Sequence, residues 1–238
     1  MISRVGVVVP VHDEEDHLET CLDALEAACA RLPERARAHV VVVLDACTDG
    51  SESIGQAAAE RGLFDILTVG YRNVGRARAA GLDRALVLCG DVAPESVWLA
   101  STDADSLVPS SWLLDQLALA STGADAIAGT VRVHDWQDYP GEGLLRFQEF
   151  YDAFGGTEHH DHVHGANLGV RADAYRDAGG FAALATGEDH AIVRALRNVG
   201  RSVVSTRRIE VTTSARRAGR APLGFAGFLE AFARPADA

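Results

Sequence analysis

The sequence predicts an α/β domain, a single unit with a mostly parallel central sheet and helices on both faces. Three observations predict it. Short apolar, β-branched runs recur along the chain, as strands buried on both faces require. Between them lie segments whose apolar residues return every three or four positions, the period of a one-sided helix. The two patterns alternate four times in roughly the first hundred residues, which implies crossovers between parallel strands. With 238 residues, 47% of them hydrophobic, the chain can bury a sizeable core.

The first strand is the run at residues 5–9, closed by Pro10. Asp13 stands where it can cap a helix, and that helix carries the stripe Leu18, Cys21, Leu22, Leu25, Ala28, Cys29 and Leu32. The second strand, 40–44, runs into Asp45. The turn from Cys47 to Ser51 then leads to a helix over 52–61. A third strand over 66–69 and a helix over 74–88 precede an apolar strand over 97–100, which ends at Asp103 and Asp105. Beyond Pro109 the pattern predicts a helix over 112–119, a strand over 126–133, a helix over 141–154 and a mobile loop over 155–165. Residues 164–170 return to the sheet, and 172–178 form a short helix stopped by Gly179 and Gly180. Glu188 and Asp189 open a helix striped by Ile192, Leu196 and Val199. Two short strands, 202–205 and 210–213, and an apolar or amphipathic segment over 225–232 complete the chain.

Charge and composition exclude several classes. The net charge of −12 argues against nucleic acid as a partner. No apolar run approaches the roughly 20 residues of a bilayer span, and the start of the chain has no charged-then-apolar leader. A cytoplasmic protein, with peripheral membrane contact left open, is the expectation. Cys21, Cys29, Cys47 and Cys89 lack Cys-x-x-Cys spacing, so free thiols are expected. A dinucleotide site would need Gly-x-Gly-x-x-Gly after the first strand, where Pro10-Val11-His12 stands instead.

Three strand exits deliver Pro10 to Glu14, Asp45, and Asp103-Ala104-Asp105. In a parallel sheet these exits share one edge, the usual place for ligands. Two carboxylates spaced i and i+2 offer hard oxygens to Mg²⁺ or Mn²⁺ holding a diphosphate. They also suit a plain polar turn, and the tripeptide alone does not choose.

The order of these signals resembles family 2 glycosyltransferases of the nucleotide-sugar GT-A fold. Pro10-Val11-His12-Asp13-Glu14 stands where the family has Pro-x-Tyr-Asn-Glu, with His12 replacing the aromatic residue. Leu44 to Ser51 is similar to its acidic turn. Asn73-Val74-Gly75 with Arg78-Ala79-Ala80-Gly81 matches its Asn-x-Gly and Arg-x-x-Gly. Asp103 and Asp105 match its Asp-x-Asp. Gly179-Gly180-Phe181, Glu188-Asp189 and Arg194 to Gly200 match its closing series. The resemblance spans roughly residues 4–217.

It implies a metal-dependent inverting transferase that moves a sugar from a nucleotide-diphosphate donor, UDP ahead of GDP, to a small-molecule or lipid-linked acceptor. A non-catalytic nucleotide-sugar-binding protein is the alternative. Residues 1–108 would then be the nucleotide-sugar half, and 109–238 the acceptor-binding and catalytic half. By the same resemblance Pro10, His12, Glu14 and Asp45 would meet the nucleoside. Arg78, and less so Arg76, would face the diphosphate. Asp105 would hold the divalent cation. Asp103 would serve the ribose, or the metal through water. Asp189 would be the general base beside Glu188, although without the resemblance helix capping is the favoured reading of both acids. His164 opens the Gly-Ala-Asn segment and could meet the metal, the diphosphate or the acceptor. His159, His160 and His162 read as incidental. Arg216 and Arg217 would close over the diphosphate or grip an anionic acceptor, if they are not simply solvated.

Overall fold

A computed structural model describes residues 1–134, 146, 149, 160 and 162–214. Its chain order is β1 (Arg4–Val11), α1 (Leu18–Ala30), β2 (Arg37–Asp45), α2 (Ser51–Ala59), β3 (Phe64–Val69), α3 (Val74–Cys89) and β4 (Val97–Ser101). Then follow β5 (Ser106–Leu107), α4 (Trp112–Ser121), β6 (Ala126–His134), β7 (Leu168–Arg171), α5 (Ala172–Asp177), α6 (Glu188–Asn198) and β8 (Val203–Ser214). One eight-stranded sheet runs in the order β3-β2-β1-β4-β7-β6-β8-β5. β3, β2, β1 and β4 are mutually parallel. β7 enters antiparallel to both β4 and β6, so the chain after residue 108 joins the same sheet.

Alternating side chains sort into two cores, one on each face. Val5, Val7, Val9, Val40, Val42 and Leu44 meet α1 and α4 on one side. Val8, Val41 and Val43 meet α3 on the other, in a core that α5 and α6 complete. Each fully buried aliphatic side chain contributes about 1.5–3 kcal/mol before entropy is counted. α3 lies unusually close to the sheet because Gly81 has no Cβ: one there would sit 2.2 Å from Val8 Cγ2 and 2.7 Å from Val43 Cγ2. That close approach brings Arg78, one turn earlier, to the end of β4 at Ser101.

Two expectations change. Asp13 does not cap α1, which starts at Leu18 after His17. Its backbone is left-handed, with φ 54°. Its carboxylate instead accepts from Thr48 N at 2.6 Å and Thr48 Oγ1 at 3.2 Å, pinning the β1 exit to the β2 exit. The two short strands expected near the end are one strand, β8. It is parallel to β6, with a register break where Gly129 faces Thr206 but Thr130 faces Glu210. The bulged residues 207–209 break the apolar alternation, which is why the sequence reads as two pieces. The side chain of Asn167 closes the gap: its amide donates to Thr130 O at 2.8 Å and Ile209 O at 2.9 Å. All of the helix expected over 141–154 except residues 146 and 149, most of the loop over 155–165 and the segment 225–232 lie outside the described residues, as do His159, Arg216 and Arg217.

Candidate active site

The C-terminal ends of β2, β1 and β4 are neighbours, so the three acidic exits do meet at one edge of the sheet. The first two serve partly to hold each other. Asp45 is 4% exposed, and its carboxylate accepts from the backbone N–H groups of Tyr71 (2.5 Å), Arg72 (2.8 Å) and Asn73 (2.9 Å). This fixes the loop that enters α3. His12 Nδ1 lies 2.6 Å from Asp45 O. Glu14 is buried, and its N–H donates to Ser51 Oγ at 2.8 Å. Pro10 stands opposite Val43, at the end of the sheet that carries the site. Asn73 caps α3 by accepting from Arg76 N at 2.9 Å, and the Arg76 guanidinium lies over the Tyr71 ring, 4.1 Å from its centroid.

Arg78 is the hub of the site. It is 2% exposed. Nη2 meets Asp103 Oδ1 at 2.5 Å, and Nε meets Glu188 Oε1 at 3.0 Å. Nη1 donates to Ser101 Oγ and, at 3.0 Å, to the carbonyl of Gly165. One guanidinium thus ties the β4 tip, the start of α6 and the turn before β7 together. Its charge is further stabilised: although burial opposes it, Asp103, Glu188 and Asp189 push its pKa upward. Burial pushes the Glu188 carboxyl up too, and Arg78 pulls it only part of the way back. Gly165 is required at its place, since a Cβ would fall 2.4 Å from Arg78 Nη2.

Asp189 stands one residue along α6 and is only half-buried. Its Oδ2 accepts from Gly165 N at 2.9 Å and its Oδ1 from His190 N at 2.7 Å. Glu188 and Asp189 therefore differ in their surroundings. The first is locked to Arg78, and the second faces the site edge from the positive end of α6. Across the turn, His160, His162 and His164 stack in a row, with ring centroids 5.8 and 6.1 Å apart.

The Asp103-Asp105 turn is held from three sides. Cys21 Sγ lies 3.4 Å from Asp103 O, Thr102 N donates to Val8 O at 3.3 Å, and Ser214 N donates to Asp105 O at 3.1 Å. Asp103 and Asp105 are partly exposed on this fixed turn. Two hard carboxylates there fit a divalent cation that also takes phosphate oxygens. Among the described residues, the set of three potential ligand groups within 4.8 Å of one another is Asp13, Cys47 and Asp49, not Asp103, Asp105 and His164. All four cysteines are free.

The structure thus brings Arg78, Asp103, Glu188, Asp189 and His164 around one turn, with Glu14 and Asp45 along the same edge. The sequence reading missed that Arg78 is a buried cross-link instead of a cation facing out. The signal was there, because α3 offers an Arg on its sheet-facing stripe, between Ala77 and Gly81. Asn167, the last residue of the Gly-Ala-Asn segment, is turned into the core. It is 1% exposed and, besides its two amide bonds, accepts from Trp112 Nε1 at 2.9 Å.

The model of the family described as Glycosyl transferase family 2 matches residues 6–179. The chain belongs to that family. Among curated relatives, the undecaprenyl-phosphate 4-deoxy-4-formamido-L-arabinose transferase of Pseudomonas savastanoi pv. phaseolicola is 34% identical over 146 residues, 58% of this chain and 40% of the relative. The enzyme of the same name from Serratia proteamaculans is 31% identical over 136 residues, 56% of this chain and 38% of the relative. The chain therefore spans about two fifths of the length of the curated relatives it matches. Among solved structures, S. aureus TarS 1–349 in complex with UDP-GlcNAc aligns with a TM-score of 0.66 at 17% identity, over 93% of this chain and 61% of that one. The mannosyltransferase PcManGT of Pyrobaculum calidifontis, in complex with GDP-Man and Mn²⁺, aligns with a TM-score of 0.66 at 21% identity, over 98% of this chain and 70% of that one. These likenesses give the GT-A fold. No helix among the described residues is long and apolar enough to cross a membrane.

Proposed function

We propose that this family 2 chain is a metal-dependent inverting glycosyltransferase. It would take a sugar from a nucleotide-diphosphate donor and pass it to an acceptor hydroxyl. The observation that carries the reading is the Arg78 cross-link, which ties a half-open Asp-x-Asp turn directly, and a half-open Asp189 through the Gly165 turn, to one guanidinium. A transferase needs this pairing, with leaving-group charge handled on one side and proton removal on the other.

Glu14 and the β2 exit at Asp45 would form the wall for the nucleoside, with Pro10 and His12 at its base. Asp105, with Asp103, would hold a divalent cation, which when bound neutralises the departing diphosphate. Asp189 takes the proton of the acceptor hydroxyl as its oxygen bonds to C1 of the sugar. The bond from C1 to the diphosphate breaks on the far side, and its electron pair leaves with the diphosphate oxygen. Glu188 acts through Arg78, keeping α6 and its Asp189 against the Gly165 turn.

The names of the curated relatives point to a lipid-linked phosphate acceptor, and this chain would then work at a membrane surface. UDP- and GDP-sugars both belong in the donor test, because the solved neighbours include one bound to each. Thermal shift with UDP and GDP, each with and without Mn²⁺, is the first experiment. One nucleotide should raise the melting temperature only in the presence of the ion, by ligand linkage. Absence of any shift across the panel would remove the proposal. Stabilisation without donor turnover would reduce it to a binding protein.

A further inference from the structure

The charges on the helices are divided between the two faces of the sheet. α1, α2 and α4 cover one face and carry Glu19, Asp23, Glu26, Glu52 and Asp115, with no arginine among them. The arginines nearest to them, Arg31, Arg35 and Arg61, lie in the loops that enter β2 and β3, at the sheet edge away from the site. α3, α5 and α6 cover the other face and carry Arg76, Arg78, Arg84, Arg176, Arg194 and Arg197. In a chain with a net charge of −12, this layer stands against the field of the whole molecule.

Most acids of the second layer are already matched. Glu188 is held by Arg78, Asp173 by Arg171 and Arg201, and Asp177 by Arg201. Arg84 is paired with Asp65 of β3. Asp91 and Glu95 follow α3, at the edge away from the site. Asp83 and Asp189 remain, against exposed Arg76, Arg176, Arg194 and Arg197. On α6 the exposed residues His190, Arg194 and Arg197 recur at i, i+4 and i+7, so they share the outer face, opposite buried Ile192, Val193 and Leu196.

Apolar side chains stand out from this same layer. Val87 is 70% exposed, Leu184 42% and Val199 49%, and among the described residues the other large apolar side chains so exposed are Met1 and Leu107. Leu184 belongs to a run of exposed apolar residues, Ala182 to Ala185, that leads into α6. This run is fixed to the start of α3: Gly75 N donates to Leu184 O at 3.0 Å, and Asn73 Nδ2 to Ala183 O at 3.5 Å. Exposed Arg72 and Arg76 flank it. Leu184 thus stands at the site end of the layer, and Val87 and Val199 at the far ends of α3 and α6. Cations with apolar tips among them match an anionic bilayer, whose headgroups take the charge and whose acyl boundary takes the tips. A nucleic acid would use the arginines and leave all three apolar tips in water.

We infer that the outer face of α3 and α6, with the Ala182–Ala185 run, is the surface by which this chain docks on an anionic lipid bilayer. This deepens the reading above that the chain works at a membrane surface, and names the face that meets it. Docked this way, the acidic layer of α1, α2 and α4 is turned to water. The start of α6, which carries Asp189, is brought to the lipid.

The test is co-sedimentation of the full chain with vesicles of phosphatidylcholine, and of an equal mixture with phosphatidylglycerol, with no donor or acceptor present. The mixed vesicles should carry the protein down and the neutral ones should not. High salt should release it. The double variant Arg194→Gln/Arg197→Gln should bind the mixed vesicles about thirtyfold more weakly, the weight of two cations at an anionic surface. Leu184→Ser should also weaken binding, although it changes no charge. Glu19→Gln/Glu52→Gln, on the opposite layer, should lie within about twofold of wild type. No sedimentation with mixed vesicles, equal sedimentation with neutral ones, or arginine and Leu184 variants that bind as wild type does would overturn the inference. A DNA duplex that competes the protein off the vesicles while Leu184→Ser binds normally would make the face a general polyanion site and overturn it too. Vesicle binding without turnover of any donor would leave this face standing and sink the transferase reading. Turnover without vesicle binding would remove the face alone.

Discussion

Replacing Arg78 with Met removes the charge while keeping most of the side-chain volume, and its cost can be worked from the two ion pairs it breaks. The Asp103 side chain is 36% exposed, so solvent screens that pair and its loss costs less than about 1 kcal/mol. Glu188 is 6% exposed and is left in the interior without a counter-charge. Stranding such a group costs about 3–5 kcal/mol. For a chain of this size that lowers the melting temperature by about 6–20 °C. The loss should depend on pH, with a definite sign. Burial already holds the Glu188 carboxyl above its ordinary value. Removing Arg78 raises it further. A raised carboxyl contributes stability below its unfolded value and loses it as pH climbs through the folded one. The gap between variant and wild type should therefore widen from pH 5 to pH 8. Adding Glu188→Gln to the variant should recover most of the loss, whereas Glu188→Gln alone should still be destabilising. Thermal denaturation of the four proteins at both pH values makes the test. A melting temperature within 2 °C of wild type at pH 8 for the Met variant, or a double variant no better than the single, would refute the hub.

Three further outcomes follow from the same geometry. Asp189→Asn should bind the donor as wild type does but lose about 10²–10⁴-fold in kcat, read as nucleoside diphosphate release in the presence of acceptor. Gly165→Ala should abolish transfer in a soluble, folded protein, because the new methyl must displace the Arg78 guanidinium, and circular dichroism beside the activity assay separates this from unfolding. Asn167→Ala strands the Thr130 and Ile209 carbonyls and the Trp112 indole N–H at about 1–3 kcal/mol each, so a melting temperature lowered by at least about 6 °C is expected from calorimetry.

The first hundred residues were readable because parallel strands buried on both faces leave an uninterrupted apolar run, as at Val40 to Leu44. The meeting of Asp45 with Asp103 and Asp105 followed from topology alone. The roles of individual acids did not. Asp13 looks like a cap in the chain, but a left-handed backbone turns it toward Thr48, a contact 35 residues away. Asp45 looks like a ligand for a nucleoside, yet its carboxylate first satisfies three backbone donors of a distant loop. Residues 207–209 hid the continuity of β8 because a bulge shifts the two-residue period. Arg78 was visible as a motif residue. Its burial depends on Gly81, Ser101 and Gly165 coming together, which no local pattern encodes.

A structure with nucleoside diphosphate and Mn²⁺ bound tests the central claim most directly. The ion is expected at Asp105, with the diphosphate beside it and the sugar-bearing end turned toward Asp189. An ion seated instead among Asp13, Cys47 and Asp49, or a diphosphate remote from the tip of β4, would contradict it.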